Sequence, residues 1–302
     1  DWVICTRPKY ANQAGGFGAP VWYRTGDLFG EQARKVCPET PVLTSTPRTA
    51  FRCADGVIRL FANAHEYALM ACFRDPLFVW DIDPETLEAT ADAIRASTGV
   101  NVKAVACDIT TDAGRAEVLA ACPTPDILIN NAGGPPPGDF KNFTLDDWRA
   151  AVEGNMITPI ALIHSTVYGM MDRGFGRIIN ITSYSVKSPI AALELSNGAR
   201  AGLTGAVAVL ARKSAAKNVT INALLPGPFD TDRLRGTSEK IAEASGKSFD
   251  EVHRERQKEV PAQRFGTAEE FGAMAAFLCS QYGGYITGQN IVLDGGSYPG
   301  TF

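Results

Sequence analysis

From Leu77 onward, short apolar runs alternate with amphipathic stretches of helical length, and this alternation restricts the fold more than any other feature of the chain. Leu77-Phe78-Val79-Trp80-Asp81-Ile82 reads as a strand. Asp83-Pro84-Glu85 then opens a helix through Ser97, with Asp83 as N-cap and Pro84 at the first helical position. A strand over Asn101–Ala106, a helix over Asp112–Ala121 and a strand over Asp126–Asn130 follow. Leu145–Met171 is predicted helical, Gly176–Thr182 a strand, Ala191–Lys217 a helix and Val219–Leu224 a strand. A helix over Ala268–Ser280 and a strand over Asn290–Leu293 complete the series. Strands that are apolar throughout, each followed by a helix, belong to an α/β fold whose parallel sheet is covered on both faces.

The stretch before Leu77 has no such period. Pro8, Gly15-Gly16, Pro20, Pro38, Pro41 and Pro47 interrupt it, and it holds four of the seven cysteines. Two regions are therefore expected: an irregular segment over residues 1–76 and a single domain over 77–302. A net charge of −4 with scattered Lys and Arg offers no basic field for nucleic acid. No apolar run reaches the length of a membrane span, and the first residues lack the layout of a signal peptide, so a cytoplasmic protein is expected. The cysteines show no Cys-x-x-Cys spacing, which argues for reduced thiols and no metal.

Several short motifs fall at the carboxyl ends of the predicted strands, where an open α/β sheet binds its ligand. Asn130-Asn131-Ala132-Gly133 follows one strand, Cys107-Asp108-Ile109-Thr110 another, and Gly176 to Thr182 leads into Ser183. Asn155 sits inside a predicted helix, where its propensity is unfavourable. Asn222 to Thr231 contains the turn Pro226-Gly227, and the chain closes on Arg264-Phe265-Gly266-Thr267 and Ile286-Thr287-Gly288-Gln289 through Asp294-Gly295-Gly296. Each also has a plainer reading: Asp108 as the N-cap of the next helix, Ser183 and Pro226-Gly227 as ordinary turn residues, Asn155 in a structural hydrogen bond.

In order and spacing the set resembles the short-chain dehydrogenase/reductase family, in the branch of the 3-oxoacyl-acyl-carrier-protein reductases, over about residues 77–302. The resemblance implies a Rossmann-type doubly wound sheet, NAD or NADP as cofactor, and a small-molecule or acyl-linked carbonyl as substrate. It also implies a homotetramer or homodimer, packed through the last strand and its neighbouring helix. Cofactor contacts would fall to Asp81, Asp108, Ile109, Asn130, Ala132, Gly133, Pro226, Gly227 and Thr231, with Asp81 favouring NAD. Ser183 would donate to the substrate carbonyl, Asn155 would hold a water, and residues 232–261 would form a mobile lid.

Two departures qualify that picture. Counting back about 20 positions from Asp81 reaches Asp55 to Phe61, which has a single glycine in place of Gly-x-x-x-Gly-x-Gly. The first βα unit is thus expected to be missing or garbled, residues 1–76 being a frameshifted or non-native stretch, with a genuine irregular extension as the alternative. Where the family has Tyr-x-x-x-Lys, this chain has Ser196 and Arg200. The expected function is an oxidoreductase with an atypical site; the alternative is a cofactor-binding, catalytically impaired member acting through its oligomer surface.

Overall fold

A computed structural model describes residues 2–5, 21–24, 60–63, 77–98 and 101–301; most of the segment 1–76 therefore lies outside the described residues. The chain forms two compact units, Asp1–Arg52 and Cys53–Phe302. In the first, β1 (Trp2–Cys5) pairs antiparallel with β2 (Val21–Arg24), Trp2 opposite Arg24.

The second unit is parallel throughout its ladders. β3 (Leu60–Asn63), β4 (Leu77–Asp81) and β5 (Val102–Ala106) form one ladder, with Leu77 opposite both Leu60 and Val102. β6 (Ile127–Asn130), β7 (Gly176–Ile181), β8 (Val219–Pro226) and β9 (Asn290–Leu293) form the other. β3, a strand that periodicity did not announce, runs beside β6. The order across the unit is then 5-4-3-6-7-8-9, and the direction of growth reverses between β3 and β6, which is where a doubly wound sheet opens its ligand crevice.

Local chemistry sets the helix starts. Asp83 accepts from the Glu85 N–H at 3.2 Å ahead of α1 (Pro84–Thr98), and Thr111 caps α2 (Asp112–Ala121). Thr144 and Asp147 form a reciprocal capping box on α3 (Leu145–Val152). The helix predicted to run unbroken to Met171 instead passes through a π-helical turn, Glu153–Ile157, before α4 (Thr158–Arg173) ends on Gly174 at φ 72°. Pro159 explains the turn. It has no N–H to close an α bond to Asn155, and Thr158 N reaches back to the Glu153 carbonyl instead. α5 (Glu194–Ala215), α6 (Asp232–Ser245), α7 (Phe249–Glu259) and α8 (Ala268–Cys279) complete the set.

The core lies between strand and helix layers: Phe78, Trp80, Leu128, Ile178 and Ile221 pack with Val118, Leu162, Val167, Met170 and Ala211. At the opposite end of β7 from the crevice, Arg177 is 1% exposed and donates to the carbonyls of Gly176, Asn218 and Ser280. That guanidinium pins β7, the start of β8 and the end of α8 together.

Candidate active site

The carboxyl ends of β6 and β7 converge on a small, open pocket lined by Ile109, Asn130, Ala132, Asn155 and Arg200 among others. Asn130 ends β6 and donates through Nδ2 to Asn180 Oδ1 across to β7 at 2.9 Å. Asn155, placed by the π-helical turn, donates through Nδ2 to the Gly133 carbonyl at 3.4 Å, and its buried Oδ1 has no hydrogen-bond partner among the described residues. The turn thus gives the mid-helix asparagine its reason: it aims an amide at the loop after β6.

Arg200 organises the other wall. On α5 and 8% exposed, it donates through Nη1 to the Ile181 carbonyl at 2.8 Å, through Nη2 to the Ala132 carbonyl at 3.4 Å, and through Nε to Ser196 Oγ at 3.2 Å. Since Ser196 Oγ accepts from the guanidinium, its own hydrogen is left to donate elsewhere. Ser183 follows β7 in extended backbone, and its Oγ accepts from the Ser185 N–H at 3.1 Å, so its hydrogen is likewise left to donate.

On the other side of the crevice, Asp81 ends β4 with 7% exposure. Its Oδ1 accepts from the Asp83 N–H at 3.0 Å, while its buried Oδ2 has no hydrogen-bond partner among the described residues. Asp108 does not cap α2, a role that Thr111 takes; instead its Oδ1 receives both Thr110 N at 2.9 Å and Thr110 Oγ at 2.7 Å. Burial, helped by Glu117 and Asp108, pushes the neighbouring Cys107 thiol up to about 11. It therefore stays protonated near neutral pH and is a poor nucleophile.

Pro226 and Gly227 lie where β8 meets the exit of β9. Gly227 N donates to the Leu293 carbonyl at 2.8 Å, and a Cβ on Gly227 would stand 2.5 Å from that of Asp294. Only glycine lets the two segments approach this closely. Thr231 caps α6 by accepting from Leu234 N at 3.3 Å. The structure thus gathers Ile109, Asn130, Ala132, Asn155 and Arg200 around one cavity, adds Ser196 and Gly133 by hydrogen bonds, and leaves Asp81, Ser183, Pro226, Gly227 and Thr231 outside its lining. Sequence reasoning missed Asn180 and Thr158. A polar residue near the end of an apolar strand was the available signal for the first; for the second there was none.

A family profile described as enoyl-(acyl carrier protein) reductase matches residues 76–298. Acetoacetyl-CoA reductase of Shinella zoogloeoides is 32% identical over 185 residues, 61% of this chain and 73% of that protein. A 3-oxoacyl-acyl-carrier-protein reductase of Chlamydia muridarum is 30% identical over 228 residues, 72% of this chain and 85% of that one. Among solved structures, YwfH, an NADPH-dependent reductase involved in bacilysin biosynthesis, superposes with a TM-score of 0.73 at 29% identity, covering 80% of this chain and 99% of the other. The chain therefore belongs to the short-chain dehydrogenase/reductase family, in the branch of the 3-oxoacyl-acyl-carrier-protein and acetoacetyl-CoA reductases, and is an NAD(P)-dependent oxidoreductase of that family.

Proposed function

We propose that the chain moves hydride between NAD or NADP and the carbonyl carbon of a small or acyl-linked ketone, with Ser183, Ser196, Arg200 and Asn155 as its polar site. The residues fit a dinucleotide on both flanks of the crevice. Asp81 Oδ2 is a buried acceptor with no donor among the described residues, as ribose hydroxyls would supply, and a Cβ on Gly133 would meet nothing within 4 Å, leaving room beside the loop. Asp108 and Ile109 would border the adenine; Asn130, Ala132, Pro226, Gly227 and Thr231 would hold the nicotinamide end. The pyrophosphate would be held less well, because residues 64–76 between β3 and β4 contain no glycine.

A bound reduced nicotinamide supplies the hydride. Ser183 and Ser196 each keep a hydrogen for the substrate carbonyl oxygen and stabilise the charge that gathers there. Arg200 strengthens the Ser196 donor by holding its oxygen, yet gives up no proton itself. A serine hydroxyl is a far weaker acid than a phenol with a pKa of about 10. The proton therefore reaches the alkoxide from solvent, and its delivery limits the rate. Asn155 fixes the Gly133 carbonyl and offers Oδ1 to a water.

The observation that carries this reading is the three-way grip of Arg200 on Ser196, Ile181 and Ala132. It keeps a positive charge where the family keeps one. Fluorescence titration with NADH and NADPH, followed by oxidation of the reduced cofactor in the presence of acetoacetyl-CoA, tests it. Binding with slow turnover is expected; absence of binding would overturn the proposal. The presence of Ser196 favours a second reading, binding without turnover, which zero oxidation above background would support.

A homodimer or homotetramer in the cytoplasm is part of the proposal, formed through β9 and α8. β9 is the outer strand of its ladder, all four of its residues are half-buried, and Tyr285 nearby is fully exposed. An apolar edge of this kind needs cover. A monomer mass in light scattering would remove that part. No helix among the described residues is long and apolar enough to cross a membrane.

A further inference from the structure

Arg233 stands in the first turn of α6, at the foot of the lid, and reaches back to the loop that follows β6. Its Nη2 donates to the Pro135 carbonyl at 3.2 Å, and Nη1 lies so close over Gly134 that a Cβ there would be 2.6 Å from it. Gly134 is thus a seat for the guanidinium. Of the arginines packed close to it on the same segment, Arg235 forms a bidentate pair with Asp230 at 2.9 Å, and Arg256 donates to the Leu234 carbonyl at 3.0 Å and to Ser238 Oγ at 2.6 Å. Among the described residues Arg233 makes no ion pair, although a guanidinium carries five donors. The next residue along the loop, Gly133, faces open space and is tied by its carbonyl to Asn155 in the polar site. Charge, a planar fork and free room coincide beside the loop that follows β6, and the N-terminus of α6 adds positive potential there.

We propose that Arg233 is a specificity-determining residue that receives an oxyanion entering the site, either the carboxylate of a keto-acid substrate or a phosphate of the dinucleotide. The proposal deepens the reductase reading and rests on it. The fork grips two oxygens at once, which a lysine in its place would not do. The lid then closes on charge as well as on shape.

The test uses the full chain and the variants Arg233→Gln and Gly134→Ala, the second displacing the guanidinium through the new Cβ. Saturation-transfer NMR measures binding of acetoacetate and of its neutral ester, ethyl acetoacetate, with and without NADPH; fluorescence titration measures NADPH itself. If the oxyanion is a substrate carboxylate, both variants lose about 10-fold or more of acetoacetate affinity relative to the ester. If it is the dinucleotide phosphate, the NADPH dissociation constant rises by a similar factor in both variants and the acetoacetate-to-ester ratio stays put. Unchanged values in both arms, or a wild-type chain that prefers the ester and binds NADPH as well as the variants do, overturn the proposal. Failure of the reductase reading shows separately: the wild-type chain would bind no NADPH, while the acetoacetate arm measured without cofactor still decides the carboxylate.

Discussion

The ladder β6 to β9 and the ladder β3 to β5 line two sides of one crevice, and they keep different things. In the first, polar residues at the strand ends are tied to one another: Asn130 to Asn180, Asn155 to Gly133, Arg200 to Ser196, Ile181 and Ala132. In the second, Asp81 ends β4, Asp108 follows β5 and β3 runs beside β6, while residues 64–76 contain no glycine. A fold of this kind is specified by apolar strands packed against helices, whereas chemistry is carried by the loops at their ends.

The largest effect should come from restoring the proton donor. Ser196→Tyr paired with Arg200→Lys should raise turnover of activated ketones by about 10²–10⁴-fold, the usual range for general acid catalysis. Lysine lowers the phenol pKa by placing charge beside it; Arg200 keeps the charge, but Ser196 offers no phenol for it to act on. Arg200→Lys alone should lower activity, since the fork that holds the Ile181 and Ala132 carbonyls is lost. Steady-state oxidation of NADPH reads all three proteins. Should the unmodified chain already turn over fast, and removing the phenol next to Ser183 with Tyr184→Phe abolish that turnover, the acid is Tyr184, and the β6–β9 side is chemically intact.

Much of this was legible in the sequence, for identifiable reasons. Elements with a strong period and a cap emerged nearly to the residue, as at α2 and β9, because Thr111 and the apolar run Ile291-Val292-Leu293 fix their ends locally. The π-helical turn at Glu153–Ile157 was not, since a prediction of unbroken helix ignores that Pro159 withholds one N–H. β3 escaped notice because four residues without flanking periodicity carry too little signal, and its identity as a strand depends on pairing with β4. For the site, Asn155, Ser196 and Arg200 were proposed through the family resemblance, but their contacts could not be: that Arg200 grips two carbonyls depends on how α5 crosses the ends of β6 and β7. Arg233 could not be singled out among the cations of residues 232–261, because its contacts, Gly134 and Pro135, are about a hundred residues away in sequence. That residues 1–76 are a frameshifted or non-native stretch remains a proposal, now with Leu60–Asn63 inside the sheet as β3, and it is tested by reading the gene upstream of the Asp83 codon in all three frames. A Gly-x-x-x-Gly-x-Gly in another frame would support it; peptides from residues 1–74 in mass spectrometry of the native protein would end it.

An intermediate effect is expected on the β3–β5 side. Asp108→Ala removes the acceptor of two Thr110 hydrogen bonds, while Thr111 still caps α2, so the fold should melt cooperatively and NADH binding should weaken by about 10-fold. Asp81→Ala should shift preference from NADH toward NADPH by a similar factor, because a carboxylate at the ribose disfavours a 2′-phosphate. Titration of the fluorescence of both cofactors measures the two variants together. Unchanged constants for both would mean that this side of the crevice no longer holds the dinucleotide, and would place all cofactor binding on the β6–β9 side.

The smallest effect separates the two sides by pH. Capping boxes occur on α3, α7 and α8, all in the β6–β9 part of the unit, and in each the N3 carboxylate is held below its ordinary value. Glu270 is the strongest case, lowered from 4.5 to about 2 by its hydrogen bonds to Arg264 and, secondarily, to the Thr267 N–H. A depressed folded-state value means that the carboxylate stabilises the fold above pH 4.5 and loses that contribution as pH falls toward about 2. Because the Glu270 side chain is 48% exposed, solvent screens the interaction, and its worth is under about 1 kcal/mol. Glu270→Gln should therefore lower the urea midpoint slightly at pH 7 and less at pH 3, the two proteins converging in acid. A gap that stays constant from pH 7 to pH 3 would show that the side chain acts through packing or neutral hydrogen bonds, and that acid does not selectively loosen the β6–β9 side.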